Sequence, residues 1–325
     1  MKSALFFTLL LSFSATLCAQ TVAVKIPQST HKTCQLNPKE CLNLLPELFQ
    51  QIPTGSLSWF KLKNYQMWAQ YLLADYDSLN TSTFEAINAP NPPGEFEFIT
   101  AIYRVKYLLT VDKDEEAFKL MQRAKKLFAK LDSTFSDPTR LIVYANLIQE
   151  EAHRLKRHAP KEVYRAKFLE SRNVLLKIRN SYKNLNDPDF QSSLYANLGH
   201  TAASLDNYVK YLEYRSKGLF WAKQTKNPQR IGVSHYNLAR AYQANRKYEK
   251  AIVEYRKSIK EYEKAEDTVG ITLSQLRIAQ NHIELGNLEV AEALMAKLAE
   301  SKTKASFKIH HEELFNELKA ELSKQ

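Results

Sequence analysis

From Pro38 onward, apolar residues recur three and four positions apart along almost the whole chain, the spacing that gathers them on one face of a helix. Runs that alternate apolar and polar residues, as a half-buried strand would, are missing, so the pattern predicts an all-α chain. Helix starts are marked where Asp or Asn precedes Pro, at Asp137-Pro138, Asp187-Pro188 and Asn227-Pro228. The first side chain caps, and proline at the first helical position lacks only an amide proton that has no partner there. Trp59 to Leu79 predicts one helix, and Val105, Leu108, Ala117, Met121 and Ala124 a fainter helical pair. Phe307, Leu314, Leu318 and Leu322 outline a last amphipathic helix whose charged outer side suits a solvating cap. Ala89 to Gly94, with three prolines, predicts a linker or bend.

The pattern also repeats. Leu238-Ala239, Tyr242, Tyr248, Ala251, Tyr255 and Ser258 return one period later as Ile278-Ala279, His282, Gly286, Leu288, Ala291 and Met295. One period earlier the same register holds Leu198-Gly199, Ala202, Tyr208 and Gly218. Small residues such as Ala239 and Ala251 let paired helices approach, and the aromatics fill the space between pairs. Tyr211 and Arg215 stand where an Ala and an aromatic are expected, which predicts looser or differently angled packing in that unit. Upstream, Tyr144-Ala145-Asn146-Leu147 reappears as Tyr195-Ala196-Asn197-Leu198 and, more loosely, as Tyr236-Asn237-Leu238.

These residues resemble the tetratricopeptide (TPR) signature. The step from Leu198 to Leu238 to Ile278 is longer than the usual period of that repeat. Longer helices would account for it, and it is similar to the step in the exported sensor halves of TPR-containing diguanylate cyclases. The resemblance implies a right-handed superhelical α-solenoid of helix pairs with a C-terminal capping helix. It is strongest from Asp187 to Ala299. The expected organisation is a signal peptide over 1–19, an N-terminal tail and helical segment over 20–90, divergent helical repeats over 91–186, and a regular array with its cap over 187–325.

The resemblance also implies a site. In this family the first helix of each pair lines a concave groove, and an Asn just before the large signature residue bonds the backbone of an extended peptide. Carried over, that position is Asn146, Asn197 and Asn237, with Arg277 breaking the series. Three residues onward the same face offers Gln149, His200, Arg240 and Gln280, with His153 and Gln243 a turn beyond. An amide both donates and accepts, and so matches a peptide group without reading side chains. Arg240 and Arg277 add the prospect of a carboxylate or other anion contact. The competing reading has these Asn side chains bonding within the solenoid or to water.

The ends and the composition bound the setting. Lys2, the apolar stretch Ala4 to Leu17 and the small Ala19 match a secretory signal cleaved after Ala19, too short to span a bilayer. Leu17 before Cys18 argues against a lipidation site. The mature chain is then expected in the periplasm without a transmembrane anchor. It retains Cys34 and Cys41, which predict a disulfide stapling the N-terminal tail to the first helix. Two unpaired thiols remain open, and a metal site is disfavoured because only His31 is near. Hydrophobic residues make up 44% and charged residues 25%, enough for a continuous core. The net charge of +11 is concentrated between Glu150 and Lys264, with 24 Lys or Arg against 12 Asp or Glu. Solvated helix faces are the plain reading of that block. An exported chain rarely meets nucleic acid, which leaves an anionic partner or surface as the functional reading.

Glycine-rich phosphate loops, nucleophile elbows and paired metal-binding His are absent from the sequence, and no cofactor is expected. His310-His311 before Glu312 and Glu313 reads as part of the exposed cap, since adjacent residues on a helix point different ways. A non-catalytic scaffold holding another protein or peptide is the leading expectation. A stand-alone sensory module acting on a membrane signalling receptor is the alternative, and an accessory that grips a cell-wall glycan is more remote.

Overall fold

A computed structural model of the chain describes residues 25–131, 138–300 and 311–324. The signal segment, Asp137, Phe307 and His310 lie outside them. Among the described residues there are fifteen α-helices and no strand. They are α1 (Gln28–Leu36), α2 (Pro38–Gln51), α3 (Leu57–Leu72), α4 (Tyr76–Asn88), α5 (Gly94–Thr110), α6 (Asp114–Leu131), α7 (Pro138–Lys156) and α8 (Lys161–Ser181). Then follow α9 (Pro188–Ser204), α10 (Tyr208–Gln224), α11 (Pro228–Ala244), α12 (Tyr248–Lys264), α13 (Thr268–Glu284), α14 (Leu288–Ala299) and α15 (Glu312–Leu322).

Neighbouring helices pack as antiparallel pairs, α3 with α4 through α13 with α14, and the pairs stack into a solenoid. The first helices of successive pairs touch in unbroken series, α3, α5, α7, α9, α11 and α13, so theirs is the inner, concave side. No helix among the described residues is long and apolar enough to cross a membrane.

The long period has a simple basis. Helices α9 to α13 are each 17 residues long and three-residue turns join them. Each turn has its middle residue in the left-handed region: Asp206, Lys226, Arg246, Glu266 and Gly286. Side chains cap four of these five helices: Asp187 accepts from the amides of Asp189 and Phe190, Asn207 from Lys210, Asn227 from Arg230, and Asp267 from Gly270. Such a turn also splits the single helix expected from Trp59 to Leu79, because Ala74 is left-handed and Asp75 caps α4.

Two further expectations are corrected. The unit built on α9 and α10 is not loose: Leu198, Gly199, Tyr211, Tyr214, Arg215 and Ala222 are all buried. Gly199 makes the room for Arg215, since a Cβ there would lie 2.8 Å from its Nε. His311 is buried, not exposed, directly before α15. Phe315 and Leu318 of α15 close the core over Leu276, Ile283 and Met295.

At the other end Cys34, in a helix that the tail was not expected to form, is joined to Cys41 by a disulfide. Both half-cystines sit in a core with Leu45, Trp59 and Phe60. Asn37 between them caps α2, accepting from the amides of Lys39 and Glu40. Ala89 to Gly94 forms the connection from α4 to α5, and Pro90 lies against Gly55.

Candidate functional site

The concave side holds a cavity of about 340 Å³, within the range in which ligand pockets begin. Asn146 of α7, Asn197 of α9 and Asn237 of α11 all line it, as equivalent positions on three successive inner helices must when the repeat register is kept. Asn197 donates to the carbonyl of Ser193 at 2.8 Å, within its own helix. Among the described residues Asn146 and Asn237 form no side-chain hydrogen bond, so both amides face the cavity with donors and acceptor free.

The other walls were not evident in the sequence. Trp68 and Leu72 of α3 approach from across the groove, and Ile142, Val143 and Val233 add apolar surface. Ser192, Ser193, Ser234 and two guanidinium groups, Arg215 and Arg230, supply the polar part. Arg230 is held at the mouth by Ser192 Oγ at 3.1 Å, Ser193 Oγ at 3.0 Å and the Asp189 carboxylate at 3.1 Å. Arg215 donates to the carbonyl of Ala196 at 2.9 Å, and burial pulls its pKa below the ordinary guanidinium value.

The remaining expected groove residues divide into four groups. Gln149 is buried and donates to Ser171 Oγ of α8 at 3.2 Å, so it faces its own partner helix and not the groove. Gln243, Arg277 and Gln280 bond one another: Gln243 donates to Gln280 at 2.9 Å, and Arg277 to the same oxygen at 2.7 Å. Tyr255 Oη in turn donates to Gln243 at 3.0 Å, which ties this network to α12. Arg240 is exposed on α11.

His153 and His200 meet Nε2 to Nε2 at 2.7 Å, so one ring must donate and the other accept, and the two cannot both be protonated. Burial pushes the His200 pKa down to about 3, and the nearby His153 and Arg215 add to the effect. His153 is lowered as well, mainly by burial. Next to them Lys106 bonds Glu150 at 2.8 Å. Burial opposes both charges, yet their mutual attraction holds Glu150 below the ordinary carboxylate range and Lys106 above its own. Among the described residues no group of His, Cys, Asp and Glu has the arrangement to hold a metal ion.

Paired antiparallel helices stacked with their first members inward define a TPR-like helical-repeat solenoid, and solved structures of that kind resemble this one. A Rap protein complexed with Competence and Sporulation Factor matches at a TM-score of 0.59 and 11% identity, over 88% of this chain and 76% of that one. Aspartyl phosphate phosphatase F from Bacillus subtilis matches at 0.50 and 17%, over 90% and 77%. A signal transduction ATPase with numerous domains and a tetratricopeptide repeat sensor, from Pyrococcus horikoshii, matches at 0.51 and 16%. That match covers 86% of this chain but only 39% of the larger protein. No family model matches the sequence. No curated protein matches it either.

Proposed function

We propose that the protein is a non-catalytic scaffold that holds an extended segment of another protein along the concave faces of α7, α9 and α11. One observation carries this reading: three Asn from three consecutive repeats line one cavity, and two of them have their amide groups unengaged. Packed helices lie about 8–10 Å apart, so amides on successive inner helices suit peptide groups roughly three residues apart in an extended chain. The apolar walls from Trp68, Leu72, Ile142 and Val143 would receive side chains of that segment.

In this reading the scaffold works in the periplasm after loss of the leader, a setting in keeping with the joined Cys34 and Cys41. Cell fractionation with N-terminal sequencing is expected to find a periplasmic chain starting at Gln20; a cytoplasmic chain that keeps Met1 or Lys2 would overturn the export part alone.

Binding is tested by affinity capture from the source organism's envelope extract, comparing wild type with the Asn146→Ala/Asn237→Ala double variant. Partners retained by the wild type should be lost or reduced at least about tenfold by the variant, as expected when two hydrogen bonds of ~1 kcal/mol each are removed. Equal retention by a variant with unchanged circular dichroism would refute groove binding.

A further inference from the structure

Arg215 is the feature that the scaffold reading leaves unexplained. It is 8% exposed. The other buried Lys and Arg among the described residues, Lys63 and Arg154, each meet a carboxylate: Glu85 for the first, and Glu115 at 2.8 Å for the second. Arg215 meets none. Its contacts are the carbonyl of Ala196 and the side chain of Tyr211, whose ring centre lies 5.3 Å away, and its Nε is buried without a hydrogen-bond partner. A buried charge that lacks a counter-charge is strongly unfavourable, so a fold does not keep one for packing.

The repeat makes the point sharper. The positions equivalent to Arg215 in the next two repeats hold Tyr255 and Met295, both core residues of their own pairs. The architecture therefore needs an apolar side chain here and has a cation instead. Two neighbouring departures accommodate it. Gly199 replaces the Ala of the later repeats, Ala239 and Ala279, and leaves space for the guanidinium. Tyr211 replaces Ala251 and Ala291 and offers the cation its ring face. All three changes converge on one charged group, and that group lines the cavity.

We infer that Arg215 receives an acidic side chain, an Asp or Glu of the extended segment that the groove holds; this rests on the scaffold reading above. Arg230 at the mouth is already neutralised by Asp189, so the uncompensated positive charge lies inside, at Arg215. A planar guanidinium suits a carboxylate, and at a buried group the pair is stronger than in bulk water. The unengaged amides of Asn146 and Asn237, which line the same cavity, are placed to hydrogen-bond such a segment. Most of the lining residues belong to the basic block from Glu150 to Lys264, whose charge would steer an acidic segment towards the cavity.

The test uses the full mature chain and a randomised library of short peptides, acetylated and amidated so that no terminal carboxylate is present. Wild type should enrich Asp or Glu over Asn or Gln at one position flanked by apolar residues, by about tenfold or more. Arg215→Met, which copies Met295 of a later unit, should lose that preference, keep the apolar ones and unfold at an equal or higher temperature. Arg215→Lys should keep part of the preference, and it serves as the reporter if the Met variant does not fold. Three outcomes overturn the inference: no acidic preference in the wild type, the same preference in Arg215→Met, or free glutamate or inorganic phosphate competing as well as the selected peptide. Enrichment without acidic preference removes this inference alone. Enrichment of no peptide at all removes the scaffold reading with it.

Discussion

Asn146 and Gln149 show what a single sequence can and cannot resolve at the level of a residue. Seven positions span roughly 700° on a helix, so His153 returns to within about 20° of Asn146, whereas three positions span roughly 300° and leave Gln149 about 60° away. On α7 that rotation turns Gln149 into the contact with α8, where Ser171 accepts its amide. Periodicity names a face to within a residue or so; which edge of the face is covered depends on where the partner helix lies.

His200 carries a prediction at the same scale. Its pKa falls from 6.5 to about 3, so below pH 6.5 the unfolded chain binds a proton that the folded chain refuses. Its contribution to stability is complete above pH 6.5 and is lost as pH falls from there towards 3, with a slope of up to about 1.4 kcal/mol per pH unit. His200→Gln should flatten the urea stability curve between pH 6.5 and 5. An unchanged slope would mean that His200 protonates freely in the folded state.

At the scale of the element, the turns matter most. Five left-handed residues recur at a constant spacing from Asp206 to Gly286, and only the last is glycine. The other four carry a side chain in a conformation that costs about 1 kcal/mol or more, so the turns gave no signal in the sequence although their positions are regular. Arg246→Gly should therefore raise stability by about 0.5–1 kcal/mol in chemical denaturation, and a loss of stability would show that the Arg246 side chain contributes more than its strain.

Helix pairing has the opposite sensitivity. Tyr262 of α12 is wedged between Gly232 of α11 and Gly270 of α13, where an added Cβ would lie 2.9 Å and 2.7 Å from its ring. The ring cannot move from one glycine without striking the other. Gly270→Ala is expected to destabilise by about 1–3 kcal/mol despite the better helix propensity of Ala. Thermal unfolding decides it, and a rise in midpoint would mean that the ring has room.

Over the described residues, the extensive contacts run between neighbouring helix pairs, so damage should stay local. Phe315 is 4% exposed and closes the last unit. Phe315→Ala should cost about 3–5 kcal/mol there. Hydrogen exchange should then speed up in α13 and α14 while α5 to α8 keep their protection; uniform acceleration would show a single cooperative core instead.

The helical class, the long repeat unit, the places where α9 and α11 begin, and the three Asn in equivalent positions were all legible in the chain. Each rests on local rules: apolar spacing, capping side chains before proline, and a repeat that compares the chain with itself. Only the tertiary structure decided what surrounds them. Trp68 stands two helix pairs before Asn146 in the chain and lines the same cavity because the superhelix brings α3 across the groove, a consequence of small rotations summed over several pairs. The departures at Gly199, Tyr211 and Arg215 suggested a faulty repeat in one dimension. In three they form one contact, and the charge they accommodate has no counterpart, because whether a charge is paired depends on distances that sequence order does not contain.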